Sequence, residues 1–240
     1  MDVTLSILGT GIYLPPAHAV CEVAAAAGAD VSLYVGWPRV CHALENDHPS
    51  TMGATALEAA LADAGVAPAE LRLLLFAGIS RDHLPSYSVA MEIMQTCGAP
   101  GTCLGLDMTI GCLGALSALD IAQGWLASHG GGVAAIVTAE RWSYTVDHGS
   151  VASMGLWAHG DGASAVVVSQ GTQHPAKAIF RGAEFTTQSD LNGTVLVKYG
   201  GTRHPVAPAG ANPAERLFMG TSRADIRERY DLAPEKRIPC

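Results

Sequence analysis

The chain has little positive charge and few charged residues of either sign. Lysine occurs at only three of 240 positions, charged residues make up 15% of the chain, and the formal net charge is −8. A chain without a run of Lys or Arg offers no surface along which nucleic-acid phosphates would bind. We therefore exclude a nucleic-acid partner.

Two further absences narrow the class of protein. The sequence has no uninterrupted apolar stretch long enough to cross a bilayer, and no basic segment followed by a long apolar run at its start. None of the six cysteines forms a C-x-x-C motif or has a histidine at zinc-ligand spacing. These absences predict a cytoplasmic protein with mostly free thiols, no membrane partner and no metal site.

Apolar residues are plentiful, at 49% of the chain, which is enough for a large core. Short apolar runs alternate with segments of helical periodicity. The predicted strands cover residues 3–8, 71–77, 103–108, 133–139 and 163–168. The predicted helices begin at Ser50, Ser86 and Cys112 and end near residues 64, 96 and 128. This alternation predicts an α/β layered fold around a mostly parallel sheet.

The C-terminal part of the chain has a different composition. Residues 177–185 could form another strand, residues 189–213 are rich in Gly, Pro, Asn and Thr, and residues 213–230 could form a helix. We therefore divide the chain into residues 1–170 and a loop-rich part, residues 171–240.

Three predicted loops leave the carboxyl ends of the strands, where ligands bind in parallel α/β sheets. They cover residues 80–85, 109–112 and 140–154, and each carries polar or reactive side chains. The loops include His83 and His148, and His159 lies nearby, although a single loop histidine is more often a solvated surface residue. We expect the functional site at this edge of the sheet.

Cys112 lies where a predicted strand ends and a predicted helix begins. A thiol at a helix N-terminus faces unpaired backbone N–H groups, which favour the nucleophilic thiolate. The backbone N–H of Cys112 could also stabilise an oxyanion. The alternative is a buried cysteine that packs as a small hydrophobic residue. The stretch by itself leaves both interpretations open.

Glycine-rich segments allow fewer conclusions. Gly9-Thr10-Gly11 lacks the third glycine of a dinucleotide fingerprint, and prolines follow where a helix should begin, which excludes that cofactor site. Gly160, Asp161 and Gly162 permit a tight turn with positive φ at the start of a strand.

Four segments, in this order, resemble β-ketoacyl-ACP synthase III enzymes of the thiolase superfamily. They are Ile7-Leu8-Gly9-Thr10-Gly11-Ile12-Tyr13-Leu14-Pro15, Ser50-Thr51-Met52-Gly53 with the alanine-rich helix after it, residues 107–116 around Cys112, and Gly160-Asp161-Gly162-Ala163. The resemblance covers roughly residues 3–170 and extends more loosely to about residue 220.

The resemblance implies a thiolase-like α-β-α-β-α layered fold with a mostly complete N-terminal half and an abbreviated second half. It implies a ketosynthase or acyltransferase of fatty-acid or polyketide biosynthesis without a cofactor. Cys112 would accept an acyl group from acyl-CoA or acyl carrier protein, followed by Claisen condensation or transfer to another nucleophile. Leu84 and Gly111 would contact the substrate, and Gly160, Asp161 and Gly162 would form a structural turn near the site.

The family also takes a histidine and an asparagine from its second half, and this chain has no His-Gln-Ala-Asn or Asn-Thr-Ser segment. The chain could be part of a longer enzyme, and enzymes of this family are usually homodimers. It could instead be a non-catalytic or half-site subunit that forms a heterodimer with a full-length ketosynthase-like partner. A third interpretation is a thioester hydrolase with Asp82 or His83 as the base.

Overall fold

A computed structural model describes residues 4–34, 36, 38–84, 86–146, 159–187, 189, 195–197, 199–211 and 219–220. The chain divides into two compact units. The first contains residues 1–17, 41–142 and 160–185, and the second contains residues 18–40, 143–159 and 186–240. The division between residues 170 and 171 stays a prediction.

The described residues form ten strands and four α-helices. The strands are β1 (Leu5–Tyr13), β2 (Ala17–Ala19), β3 (Arg39–Cys41), β4 (Leu71–Phe76), β5 (Leu104–Asp107), β6 (Gly132–Glu140), β7 (Gly162–Gln170), β8 (Ala178–Phe180), β9 (Val195–Leu196) and β10 (Met219–Gly220). The helices are α1 (Val20–Ala26), α2 (Pro49–Ala64), α3 (Val89–Cys97) and α4 (Gly114–Ser128). Short 3-10 turns form at Val31–Tyr34, Pro68–Glu70, Gly111–Leu113 and Trp142–Tyr144.

One six-stranded sheet, in the order β5-β4-β6-β7-β1-β8, organises the first unit. Strand β4 pairs in parallel with β5 and with β6. Strand β7 is antiparallel to both β6 and β1, and β8 is antiparallel to β1. The α/β class predicted from the sequence is therefore confirmed, but the prediction of a mostly parallel sheet is wrong. Only two of the five strand pairings, β4–β5 and β4–β6, are parallel.

Helices cover both faces of this sheet, which explains the nearly continuous apolar runs of β4 and β6. On one face, Leu74 and Phe76 pack with residues of α2 and α3. On the other face, Leu73 and Leu75 pack with α4. Alternate residues of one strand thus belong to two cores, as the period of two along a strand requires.

Strand β1 continues five residues beyond its predicted end and includes Gly9 and Gly11. A Cβ atom at Gly9 would lie 2.5 Å from the backbone nitrogen of Ala64 and 2.6 Å from the carbonyl oxygen of Ala60. These glycines therefore let helix α2 pack directly against the strand. Close packing thus accounts for both glycines.

The helix boundaries differ slightly from the predictions. Helix α2 begins at Pro49 with His48 as its N-cap, and Gly65 ends it with a φ of 64°. Ser50 therefore lies inside the first turn, because Pro49 suits the first helical position. Helix α3 begins at Val89, and its N-cap Ser88 accepts a hydrogen bond from the N–H of Met91.

Strand β5 is an edge strand with partly exposed side chains, including Leu104 and Leu106, whereas the sequence predicted a buried strand. Strand β8 covers only three residues of the predicted 177–185 segment. Most of the helix predicted at residues 213–230 lies outside the described residues. The two that are described form β10, which pairs with β9, so the prediction of a continuous helix is wrong there.

Three observations concern thiols, metals and membranes. Cys21, Cys41, Cys97, Cys103 and Cys112 are free cysteines. Within the described ranges, no three His, Cys, Asp or Glu side chains form a group that could hold a metal ion. The same ranges include no helix with the length and apolar character needed to cross a membrane.

Candidate active site

Three loops leave the carboxyl ends of the parallel strands β4, β5 and β6. The pairs Phe76–Asp107 and Phe76–Val137 place these strand ends side by side. Residues 77–88 follow β4, residues 108–110 follow β5, and residues from 141 onward follow β6. The structure thus brings together residues 80–84, 109–112 and 140–142 of the three loops that the sequence placed at this edge. Pro85 and residues 147–154 lie outside the described residues, and residues 143–146 belong to the second unit.

Cys112 lies in the 3-10 turn Gly111–Leu113, which leads directly into helix α4. Gly111 has a φ of +74°, a backbone conformation that glycine adopts without strain. The Cys112 side chain is exposed. The predicted position at the start of a helix is therefore confirmed, and the alternative of a buried structural cysteine is wrong for this chain.

The surface around Cys112 is apolar. Ile110, Leu113 and Leu116 are 48%, 54% and 53% exposed. Large exposed apolar side chains grouped around one reactive group are typical of a binding surface for an apolar ligand or another protein. The arrangement offers a thiol in apolar surroundings at the first turn of a helix.

The start of helix α4 packs against the sheet and so holds the Gly111–Leu113 turn in place. A Cβ atom added to Gly114 would collide with the carbonyl oxygen of Ala77 and would lie 3.3 Å from its Cβ. The first turn of α4 therefore lies directly against the residue that follows β4. This close approach fixes how far the Cys112 turn stands above the sheet.

Asp107, the last residue of β5, connects this strand to helix α3. Its carboxylate accepts hydrogen bonds from the N–H groups of Val89 at 3.0 Å and Ala90 at 2.8 Å. These are two of the unpaired donors at the helix N-terminus, where negative charge is favourable. The loop after β4 is thereby held at its far end to the strand that leads to Cys112.

Arg81 lies in the loop after β4 and connects it to the segment before Cys112. Its guanidinium donates through Nη1 to the carbonyl oxygens of Gly78 at 2.7 Å and Ser80 at 2.9 Å. Through Nη2 it donates to the Thr109 hydroxyl at 2.9 Å. Its Nε lies 3.8 Å from the carboxylate of Asp107. The side chain is only 14% exposed, so these groups replace most of its water.

Glu140 ends β6 and organises the start of the same loop. Its carboxylate accepts hydrogen bonds from the backbone N–H groups of Ile79 at 2.6 Å and Ser80 at 3.0 Å. It also accepts one from the Ser80 hydroxyl at 2.6 Å. The Ser80 hydroxyl in turn accepts a hydrogen bond from the N–H of Arg141 at 3.2 Å. The loops after β4 and β6 are therefore joined.

The family model for 3-oxoacyl-[acyl-carrier-protein (ACP)] synthase III matches residues 106–189, which include Cys112. A β-ketoacyl-[acyl-carrier-protein] synthase III of Neisseria meningitidis is 32% identical over 168 residues, covering 68% of this chain and 51% of the relative. The enzyme of the same name from Aliarcobacter butzleri is 29% identical over 207 residues, covering 80% and 60%.

The chain is similar to β-ketoacyl-ACP synthase III enzymes.

Solved structures agree with this similarity. The synthase III-like chain is 26% identical to the priming β-ketosynthase of the R1128 polyketide pathway, with a TM-score of 0.63, covering 72% of this chain and 51% of that one. The synthase III of Pseudomonas aeruginosa PAO1 has a TM-score of 0.74 at 18% identity, covering 92% and 66%, which shows the fold alone. The predicted thiolase-like fold class is thus confirmed. The chain spans about half the length of the curated relatives it matches.

The synthase III-like chain places Leu84 in the loop after β4, where it is 69% exposed. Its loop is tied to the Cys112 segment through Arg81 and Thr109. Leu84 and Gly111 therefore lie in two joined loops. Their roles as substrate-binding residues, like that of Cys112 as the catalytic residue, stay predictions.

The Gly160–Gly162 turn of the synthase III-like chain lies at the same edge of the sheet. Gly162 pairs with Glu140, and the buried Asp161 accepts a hydrogen bond from the N–H of Ala43 at 2.6 Å. The sequence explanation by positive φ is wrong for Gly162, which begins β7. A Cβ atom there would lie 3.2 Å from the carbonyl oxygen of Tyr13, so close packing accounts for this glycine.

The two candidate bases of the hydrolase interpretation have different surroundings. The two carboxylate oxygens of Asp82 accept hydrogen bonds from Ser50, from its N–H at 3.2 Å and from its hydroxyl at 2.5 Å. His83 makes an edge-to-face contact with Tyr87, with ring centroids 5.1 Å apart. His148 lies outside the described residues.

Sequence reasoning missed the roles of Arg81 and Glu140. Both side chains join loops that are far apart in the sequence, by 28 residues for Arg81–Thr109 and 60 for Glu140–Ser80. Their position in the sequence was the available signal. Arg81 is a charged residue in the loop after the buried strand β4, and Glu140 is a charged residue at the end of the buried strand β6. That position indicates the edge of the sheet but does not identify the partner.

Proposed function

We propose that this protein is an acyltransferase of the ketosynthase III type and that Cys112 carries the acyl group. The observation that supports this most directly is the exposed thiol in the 3-10 turn before α4, inside the segment that matches the synthase III family. A thiolate there can attack a thioester carbonyl, because the helix N-terminus favours negative charge.

The first step is a thioester exchange. The Cys112 sulfur forms a bond to the acyl carbon of acyl-CoA or acyl carrier protein, and the donor's own sulfur leaves and takes up a proton. The backbone N–H of Cys112 would donate a hydrogen bond to the oxyanion that forms in between. The exposed apolar side chains of Ile110, Leu113 and Leu116 suit the hydrocarbon part of such a donor.

In the second step, the acyl group leaves Cys112. A malonyl-type extender would lose its carboxylate as CO2, and the carbanion left behind would form a carbon–carbon bond to the acyl carbon as the Cys112 thiolate is released. The same acyl-cysteine could instead react with an amine or a hydroxyl group. The named relatives act with an acyl carrier protein, and the solved polyketide ketosynthase supports a role in fatty-acid or polyketide synthesis.

Intact-mass measurement tests the first step. We expect the purified protein, incubated with acetyl-CoA, octanoyl-CoA or the corresponding acyl carrier proteins, to gain the mass of one acyl group. The Cys112→Ala variant should gain none, and Cys21→Ala, which removes another exposed thiol, should react like the wild type. Absence of an adduct on the wild type, or an equal adduct on Cys112→Ala, would contradict the proposal.

Exposed apolar residues of α4 favour an additional proposal, that this protein works with a second subunit. Leu113, Leu116 and Ile121 are 54%, 53% and 43% exposed on or just before α4. Apolar area of this kind is typical of an interface. The partner would be a second copy of the chain or a full-length ketosynthase-like protein that contributes residues to the site.

Sedimentation velocity, alone and with a full-length relative, distinguishes these assemblies. A homodimer predicts a concentration-dependent mass of twice the chain, and a half-site subunit predicts a complex only with the relative. Full condensation activity of the isolated monomer would contradict the need for either partner. Release of free acid, without a condensation product, would favour the hydrolase interpretation.

A further inference from the structure

The Arg81 side chain is mostly buried and contacts both its own loop and the segment that leads to Cys112. Its guanidinium binds two carbonyl oxygens of its own loop, the hydroxyl of Thr109 and the carboxylate of Asp107. Its charged plane also lies 5.1 Å from the centre of the Phe76 ring. Planar, multidentate binding of this kind depends on the arginine fork, and lysine cannot reproduce it.

The Thr109 contact joins this arginine to the reactive turn. Thr109 is three residues before Cys112, and it follows the point where β5 ends. The residues between β5 and the 3-10 turn, Met108, Thr109 and Ile110, lie outside regular secondary structure. A side-chain contact at Thr109 therefore restrains the middle of an otherwise irregular connection.

A second connection closes the loop at its other end. Asp107 holds the first two N–H groups of α3, while Arg81 reaches both Asp107 and Thr109. The loop that carries Leu84 is thus fastened at both ends to the chain segment that leads to Cys112. A displacement of one loop would therefore strain these contacts with the other.

We propose that Arg81 is a positioning residue for Cys112, and that it acts by clamping Thr109 and thereby fixing the orientation of the Gly111–Leu113 turn. The proposal rests on the proposed function in that Cys112 is the reacting group. The orientation of this turn determines how the Cys112 sulfur is presented to a reagent and to the unpaired N–H groups at the start of α4. Loosening the turn makes that orientation less uniform and slows the reaction of the Cys112 side chain.

The test uses Thr109, whose side chain is exposed, so that its replacement leaves the core intact. Thr109→Val keeps the shape and removes the hydroxyl, whereas Thr109→Ser keeps the hydroxyl. We expect Thr109→Val to slow the alkylation of Cys112 by iodoacetamide roughly threefold to tenfold, the range of a helix-terminus effect. Thr109→Ser should retain close to the wild-type rate.

Arg81→Lys should slow the reaction similarly, and the double variant Arg81→Lys/Thr109→Val should be no slower than either single variant. Arg72→Lys is the matched control, because Arg72 also binds two carbonyl oxygens, those of His129 and Gly131, but near the start of β4 rather than its end. Arg72→Lys should leave Cys112 at the wild-type rate.

Peptide-resolved mass spectrometry follows Cys112 together with the exposed Cys21 and the buried Cys103 in the same sample. General unfolding would expose Cys103, whereas loss of positioning changes only Cys112. A wild-type rate for Thr109→Val, or multiplicative effects in the double variant, would overturn the inference. A wild-type protein that is alkylated but never acylated would overturn the proposed function and leave the Arg81 result valid.

Discussion

Glu140 and Ser80 are joined by two hydrogen bonds, although 60 residues separate them in the sequence. The carboxylate of Glu140 accepts both the backbone N–H and the hydroxyl of Ser80. The end of β6 thereby determines the path of the loop that follows β4. This pair leads to a first prediction.

Replacing Glu140 with Gln removes a charged acceptor and leaves one carbonyl oxygen for three donors, the N–H groups of Ile79 and Ser80 and the Ser80 hydroxyl. We expect Glu140→Gln to lower the free energy of unfolding by about 1–3 kcal/mol, as for other part-buried donors left without an acceptor. Urea denaturation measures this change. Glu58→Gln, on the exposed face of α2, should stay within about 0.5 kcal/mol of the wild type. Equal effects for the two variants would contradict the structural role of Glu140.

A second prediction concerns the contact between β1 and α2. In Gly9→Ala the new methyl group would meet backbone atoms of Ala60 and Ala64 at 2.5–2.6 Å, and backbone cannot move aside as a flexible side chain can. We expect a loss of roughly 1–3 kcal/mol in stability, or more, from overpacking. In Gly101→Ala the added atom meets nothing within 4 Å, so this variant should unfold like the wild type.

A third prediction distinguishes the effect of backbone strain at Gly111 from the effect of steric crowding. A Cβ atom at Gly111 meets no atom within 4 Å, but φ is +74°. Gly111→Ala should therefore cost about 1–2 kcal/mol and slow the alkylation of Cys112. Gly124→Ala, in the exposed face of α4, should instead raise stability by up to about 1 kcal/mol. Thermal unfolding would contradict this reasoning if both variants changed stability in the same direction.

A fourth prediction follows from the burial of Cys103. Burial raises the pKa of this thiol to about 11, and burial also raises the pKa of Cys97. Since only the thiolate is alkylated, both thiols should remain unmodified in the folded protein at pH 8, while Cys112 reacts. Modification of Cys103 should begin only as the pH approaches 11.

The direction of the linked stability change follows from the same raised pKa. Below the ordinary thiol pKa near 9, Cys103 is protonated in both the folded and the unfolded chain. Between pH 9 and about pH 11 the unfolded chain releases this proton first, so stability falls as the pH rises. The loss should be smaller in Cys103→Ala, as compared by urea denaturation at pH 8.5 and pH 10. An equal loss in the variant would show that other groups cause it.

Much of the first unit could be predicted from apolar periodicity alone. The runs that became β4 and β6 are buried on both faces, and Gly65 ends α2 as expected. The direction of β7 could not be predicted in this way. An apolar run indicates that a strand is buried, but it has the same appearance in both directions. The mixed sheet therefore became evident only from strand pairing.

The candidate site was predictable in part. The position of Cys112 follows from local signals, namely a strand, a glycine and a helix of small residues. The clamp from Arg81 to Thr109 depends on two loops meeting in three dimensions, and no local pattern encodes that meeting. The exposure of β5 was also not predictable, because its apolar residues resemble those of a central strand.

The reversed direction of β7 has a consequence for how the candidate site is assembled. Because β7 runs opposite to β6, its first residue, Gly162, lies beside the last residue of β6, Glu140. A parallel β7 would have delivered the Gly160–Gly162 turn to the far end of the sheet. The antiparallel direction of β7 therefore places a fourth chain segment, the Gly160–Gly162 turn, at the same end of the sheet as the three loops that follow the parallel strands.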